Sequence, residues 1–190
     1  LLEGPAAGIP AVIDPVMVAK GGASLLQDVA VLAVARELVP RAALLTPNAP
    51  EAEALTGIAV ADLDGQRRAG ERLMKMGARA VLMKGGHVPG ATVVDLLLTS
   101  GGETSFEGPR IETRNTHGTG CTLSAALAAL LPRTADVPEA ARRAKDYLVR
   151  AIAAADTLSV GSGHGPVHHF HAWWPREAAG NDPSRAAPGL

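Results

Sequence analysis

The sequence is poor in aromatic residues and nearly free of cysteine. Phe, Tyr and Trp make up 3% of its 190 residues, and the single cysteine, Cys121, has no partner for an intramolecular disulfide. A chain without such staples must rest on an apolar core, and 47% hydrophobic content with a mean hydropathy of +0.13 is enough to build one. Charge of one sign is missing as well. Eighteen Lys+Arg against 19 Asp+Glu leave a formal net charge of -1, without the basic surplus that nucleic acid or an anionic membrane surface attracts. No apolar run reaches the roughly 20 residues needed to cross a bilayer. The first ten residues, LLEGPAAGIP, lack an initiator Met and the charged-then-apolar order of a signal peptide. These absences set aside nucleic-acid and membrane partners. The expectation is a cytoplasmic protein with one globular unit over residues 1–175, followed by a polar tail rich in Pro, Gly and Ala at 176–190 that is expected to be disordered.

What is present is an alternation of short apolar runs and amphipathic stretches. Ala11 to Asp14 reads as a strand ending in Asp-Pro, and Ser24 to Val39, with Leu25, Val29 and Leu32 at helical spacing, reads as a helix. Ser24 and Gln27 have the spacing of a capping box, and Pro40 ends that helix. Ala43 to Thr46 is a second strand stopped by Pro47, Ala69, Leu73 and Met76 mark a helix closed by Gly77, and Ala80 to Lys84 is a third strand. All-apolar strands alternating with helices are the pattern of a parallel sheet covered on both faces, which predicts the α/β class. Val93 to Thr99 and Thr104 to Glu107, separated by a Ser-Gly-Gly-Glu turn, predict an antiparallel hairpin at the edge. Cys121 to Leu131 and Glu139 to Leu158 contain neither Gly nor Pro and read as two long helices.

The sharpest chemical signal is Asn115-Thr116-His117-Gly118-Thr119-Gly120-Cys121-Thr122, a glycine turn running straight into a helix. Glycine lets backbone approach a ligand closely, and the first helical turn offers unpaired N–H groups at the positive end of the dipole, a ready anion site. Asn48 and Glu51 follow the second strand, where ligands of parallel sheets bind; an N-cap with its N3 partner explains the same spacing equally well. Asp14, at the end of the first strand, is placed to contribute to a metal or phosphate environment. Val16 and Met17 beside it could wall a flat heterocycle. After the third strand, Lys84 can neutralise phosphate charge while Gly85 and Gly86 permit close backbone approach. Four histidines in Gly161 to Trp174 suggest a metal at first sight, but His168, His169 and His171 have no second ligand cluster to join, which favours a structural role.

These segments together resemble the hydroxymethylpyrimidine/phosphomethylpyrimidine kinases of thiamine biosynthesis, within the ribokinase-like superfamily. NTHGTGCTLSAA (Asn115 to Ala126), TPNAPE (Thr46 to Glu51), DPVM (Asp14 to Met17), KGGH (Lys84 to His87) and the segment from Gly161 to Trp174 occur in the family's order from Val12 to Trp174. The resemblance implies a three-layer α/β/α fold with a mostly parallel central sheet, lacking the N-terminal βαβ units with which the family begins. It implies ATP and Mg²⁺ as cofactors and a small-molecule pyrimidine as substrate, and it allows a homodimer. Gly118, Thr119, Gly120 and Cys121 would form the catalytic junction, with Cys121 where most of the superfamily has its catalytic Asp. A thiol in a first helical turn can act as a base or simply line the pocket, and both readings stay open. Lys84, Gly86, Thr116, His117 and Lys145 would contact the nucleotide, although a solvated helix face explains Lys145 as well. Val16, Met17 and Cys121 would meet the substrate, and Asp14, Asn48 and Glu51 the metal. The implied reaction is phosphorylation of 4-amino-5-hydroxymethyl-2-methylpyrimidine and then of its monophosphate, with activity impaired in a chain that lacks the early segment. A pyridoxal kinase and a non-catalytic nucleotide-binding remnant are the alternatives.

Overall fold

The computed structural model describes residue 4 and residues 7–17 and 28–174. Five strands form one sheet in sequence order: β1 (Ala11–Ile13), β2 (Ala42–Leu45), β3 (Ala80–Met83), β4 (Thr92–Thr99) and β5 (Gly102–Pro109). The β1–β2 and β2–β3 pairings are parallel, whereas β3–β4 and β4–β5 are antiparallel. The sheet is therefore mixed, its parallel half joined by helical crossovers and its antiparallel half built by consecutive turns. The expected hairpin is present and longer than its β-rich residues suggested.

Among the described residues five α-helices cover the sheet: α1 (Asp28–Ala33), α2 (Ala49–Thr56), α3 (Leu63–Lys75), α4 (Thr119–Leu130) and α5 (Val137–Ala153). Strand alternation sends successive side chains to opposite faces, and both faces are apolar. Ala42, Leu45, Val81, Met83, Leu96 and Leu98 point into a core closed by residues of α2 and α3, including Ala52, Leu55, Ala69 and Leu73. Leu44, Ala80, Leu82 and Leu97 point the other way, against Leu123 and Leu127 of α4 and Ala141 and Ala144 of α5. Each fully buried leucine contributes on the order of 2 kcal/mol by leaving water, so the two cores supply the driving force that disulfides do not. The result is the three-layer α/β/α arrangement. Among the described residues no helix is long and apolar enough to cross a membrane.

Local differences from the sequence reading have physical reasons. The capping-box pair at Ser24 and Gln27, and Leu25 with them, lie outside the described residues, as does the tail from 175 onward. In α1 the face toward the core is not the Val29–Leu32 stripe. Val29 is 76% and Leu32 53% exposed, while Val31, Val34 and Ala35 pack against the core. The backbone widens into a π-helical turn over Val34–Leu38 before a 3₁₀ turn at Val39–Arg41, and Pro40 sits in that last turn. The helix expected to reach Leu158 ends at Ala153, where a 3₁₀ turn over Ala155–Thr157 takes the chain away.

The turn after β3 holds the most closely packed of the described glycines. A Cβ added to Gly85 would stand 2.0 Å from the Val94 carbonyl oxygen, whereas one on Gly86 would meet nothing within 4 Å. We expect Gly85→Ala to lower stability by about 1–3 kcal/mol through overpacking, and Gly86→Ala to change it by no more than about 0.5 kcal/mol. Urea unfolding followed by circular dichroism checks the pair; equal midpoints for the two variants would contradict the assignment.

Candidate functional site

The carboxyl ends of the three parallel strands carry one polar residue each. Asp14 follows β1, Thr46 follows β2 and Lys84 follows β3. Backbone bonds set them side by side: the Thr46 amide donates to the Ile13 carbonyl over 3.0 Å and the Lys84 amide to the Pro47 carbonyl over 2.9 Å. Lys84 Nζ then lies 2.8 Å from Asp14 Oδ1 and 3.7 Å from Glu51 Oε2, with both members of the Lys84–Asp14 pair 13% exposed. Thr46 Oγ1 lies 3.2 Å from Asp14 Oδ1 and 2.9 Å from Ser124 Oγ, and the Ser124 hydroxyl donates to the Gly120 carbonyl over 3.1 Å. The first turn of α4 is thus tied to the ends of β1 and β2.

The α4 N-terminus faces this cluster. Its N-cap, Gly118, has φ +80°, a left-handed conformation that glycine adopts without strain, and no side chain caps the helix. A Cβ on Gly120 would lie 3.1 Å from Lys84 Nζ and 3.6 Å from Asp14 Oδ2, so the bare glycine keeps the space between helix entry and ion pair open. Cys121 is exposed and unbonded to any other sulfur. With Gly118 it stands at one end of an open groove of about 820 Å³ between α4 and α5, which runs past Ala125 and Ala129 to Arg142, Tyr147 and Trp173. The turn is held from behind by the histidine-containing segment. The His117 amide donates to the Gly165 carbonyl over 3.0 Å, the Val167 amide to the His117 carbonyl over 3.4 Å, and the Gly165 amide to Asn115 Oδ1 over 3.1 Å. A Cβ on Gly165 would come within 2.2 Å of Asn115 Oδ1, so a larger residue there would displace the Asn115 amide from this turn. Thr116 sits half-buried in the same stitched turn.

Asn48 and Glu51 form a reciprocal capping box at the start of α2, with Glu51 N to Asn48 Oδ1 at 2.9 Å and Asn48 N to Glu51 Oε2 at 2.8 Å. The capping explanation holds for Glu51, which is also 3% exposed and close to Lys84. Asn48 is different: its side-chain oxygen faces the helix, so it mounts Glu51. Burial pushes the Glu51 carboxyl above its ordinary value, against the opposing pull of Lys84 and of the Asn48 amide; Asp14 adds a smaller push upward. His87 is shifted down from its ordinary value, chiefly by burial and then by Lys84 and Arg110.

The structure places two of the expected contacts differently. Met17 is 2% exposed and packs in the core, while Val16 beside it is 44% exposed. Lys145 lies apart from the strand-end cluster and is not on a solvated face either: its ammonium is 2.7 Å from Asp95 Oδ2 and 2.9 Å from the Phe106 carbonyl, and 11% of the side chain is exposed. Among the described residues no group of three or more His, Cys, Asp or Glu side chains could hold a metal. The histidines instead build the C-terminal packing. His168 meets Trp174 edge-on, His171 packs on Tyr147, and the Tyr147 hydroxyl donates to the His169 carbonyl over 2.8 Å. Gly86 is exposed, and its carbonyl accepts from Arg110, whose guanidinium also bonds the Val88 and Gly90 carbonyls at 2.6 and 2.8 Å. Arg110, Thr46, Ser124 and Asp95 were given no role from sequence. Asp95, an acid inside the apolar run Val93 to Leu98, was the one that announced itself.

Residues 4–168 match the family described as Phosphomethylpyrimidine kinase. The hydroxymethylpyrimidine/phosphomethylpyrimidine kinase of Salmonella typhimurium is 52% identical over 164 residues, covering 86% of this chain and 62% of the relative, and that of Bacillus subtilis is 45% identical over 160 residues, covering 84% and 58%. Among solved structures, a Bacillus subtilis pyridoxal kinase in an ADP complex superposes with a TM-score of 0.76 at 34% identity, covering 84% of this chain and 60% of that one. The phosphomethylpyrimidine kinase of Clostridium difficile superposes with a TM-score of 0.64 at 37% identity, covering 74% and 56%. The chain spans about three fifths of the length of the curated relatives it matches. Over that span its fold is ribokinase-like, and the chain belongs to the phosphomethylpyrimidine kinase family.

Proposed function

We propose that this chain carries the nucleotide-handling part of an ATP-dependent kinase that phosphorylates 4-amino-5-hydroxymethyl-2-methylpyrimidine and then its monophosphate. The observation that carries the reading is the convergence of Lys84 and Asp14 on Gly120, at the uncapped entry of α4. Phosphoryl transfer asks a protein chiefly for positioning and for charge stabilisation. The amides of Thr119, Gly120 and Cys121 hold the terminal phosphate, and Lys84 neutralises the charge that builds on it as the bond to the leaving oxygen breaks.

One ammonium between two carboxylates suits Mg²⁺, which commonly takes one or two protein carboxylates and completes its shell with phosphate oxygens and water. Asp14 and Glu51 would hold it, with Asn48 fixing Glu51. When bound, Mg²⁺ supplies charge neutralisation across the phosphates. The raised Glu51 carboxyl fits this role, since a buried acid beside a second carboxylate is ionised more readily once a cation arrives.

Isothermal calorimetry of the 190-residue chain with MgATP tests the nucleotide site. We expect saturable binding, weakened at least about tenfold by Lys84→Met, which corresponds to roughly 1.4 kcal/mol; absence of binding by folded protein would overturn the reading. Turnover is measured on the chain joined to the stretch that its relatives carry in addition. A pyridoxal kinase is the competing reading, favoured by the likeness to pyridoxal kinase structures, and faster turnover of pyridoxal than of the pyrimidine would establish it. In the same assay Cys121→Ala separates a proton acceptor, whose loss lowers kcat by about 10²–10⁴, from a pocket wall, whose loss raises KM alone.

A pH dependence follows from Glu51. Its folded-state pKa is raised, so the protonated acid persists to higher pH than usual and offers a cation no charge. Mg²⁺-dependent nucleotide affinity is therefore expected to rise as pH rises through that elevated titration and to be lost below it. The ligand-free fold shows the opposite sign: the stability it gains from a neutral Glu51 is present below the unfolded-state pKa and lost as pH climbs through the folded one. Glu51→Gln should flatten both profiles, as read by calorimetry and by thermal melts across pH.

A further inference from the structure

Lys84 reaches the proposed phosphate site only if the backbone at Lys84–Gly85 is held in place, and that backbone is clamped on two sides. On one side the Lys84 amide donates to the Pro47 carbonyl. On the other, the Gly85 amide donates to Asp95 Oδ1 over 2.8 Å, and Gly85 lies against Val94 so closely that no side chain fits. Asp95 projects from the middle of β4 and is 7% exposed. Its second oxygen, Oδ2, pairs with Lys145 of α5 at 2.7 Å, and the same ammonium bonds the Phe106 carbonyl in β5 at 2.9 Å. The carboxylate is thus shared, one oxygen for the glycine turn and one for the lysine.

We propose that Lys145 is a positioning residue which, through Asp95 and the Gly85 amide, fixes Lys84 at the proposed phosphate site; the functional half of this inference rests on the kinase reading above. A carboxylate buried this deeply needs a cation, and a charge-assisted bond to a backbone amide is shorter and stronger than a neutral one. Lys145 keeps Asp95 oriented, Asp95 holds the Gly85 amide, and that amide sets the direction in which the preceding side chain leaves the strand. Removing Lys145 leaves an uncompensated carboxylate that reorients, and the turn carrying Lys84 loosens. Lys145 acts here at a distance from the nucleotide.

The test uses the 190-residue chain with two readouts: hydrogen exchange of the Gly85 amide by NMR and MgATP affinity by calorimetry, both on protein shown to be folded by circular dichroism. Lys145→Met is expected to speed Gly85 exchange at least tenfold and weaken MgATP at least tenfold. Two double variants carry no buried unpaired charge and so decide the matter even if the single variant fails to fold. Asp95→Asn with Lys145→Met keeps an acceptor for the Gly85 amide and is expected within threefold of the parent in both readouts. Asp95→Leu with Lys145→Met lacks that acceptor and is expected to stay impaired at comparable melting temperature. Parent-like exchange and affinity in the Leu/Met variant, or losses in all variants that simply follow melting temperature, would overturn the proposal. Should the parent chain itself fail to bind MgATP, the kinase reading falls, while Gly85 exchange across the same variants still confirms or refutes the linkage.

Discussion

The Lys84–Asp14 ion pair is the interaction on which the site depends. It joins the ends of β1 and β3 across 70 positions of sequence, and it sits where the apolar sheet stops. Both faces of the strands are committed to the two cores, which leaves the strand ends as the place where these elements can present charge. The pair is nearly dry, so its strength depends on the geometry that surrounds it. Thr46 and Ser124 supply one part of that geometry through hydroxyls 2.9 Å apart, and the capping box at Asn48 supplies another by holding Glu51 near the ammonium.

The polar loops are fixed by backbone carbonyls and amides more than by side-chain packing. Arg110 gathers three carbonyls of the 86–90 loop with one guanidinium, a use that its planar fork of donors suits and a lysine could not copy. On the opposite side the segment 165–167 runs beside His117 like a short added strand, and Asn115 locks to both Gly165 and Asp156. The turn before α4 is thereby held from the rear, while Gly120 in the first turn of the helix lies against Lys84. Such bracing would order the donors of the proposed anion site before the charge appears.

Much of this was legible in the sequence, and the part that was not has a common cause. Apolar runs found β1, β2 and β3 because burial on both faces leaves such a run, and their ends singled out Asp14, Glu51 and Lys84, which the fold brings together. What periodicity cannot supply is the pairing of single residues far apart. Val29 and Leu32 had helical spacing, but so did Val31, Val34 and Ala35, and only the tertiary contact decides which face is inside. Met17 is in the core because the chain turns inward after Asp14. The resemblance allows Lys145 a nucleotide contact or a solvated face, whereas the partner the fold gives it is the buried acid Asp95. A charged residue inside an apolar strand calls for a counter-charge, and a lysine on a helix packed over that strand is where to seek one.

The likeness to pyridoxal kinases in structure and to pyrimidine kinases in sequence does not conflict, because the role proposed for the residues gathered at this site is to meet phosphate and cation. An uncapped helix entry, an ammonium and two carboxylates are indifferent to which heterocycle carries the hydroxyl. Of the side chains expected to wall a ring, Met17 is withdrawn into the core and Val16 is exposed, too little to discriminate between two flat heterocycles with similar hydroxymethyl groups. Discrimination between such rings requires hydrogen bonds to ring substituents, since a site built to pair a polar group rejects its absence far more strongly than an apolar wall rejects a change of shape. The described residues near the α4 entry present their polar atoms to one another. A choice of ring must therefore rest on groups outside the Lys84–Asp14–Gly120 cluster, and changes within the cluster should alter turnover of both rings by the same factor.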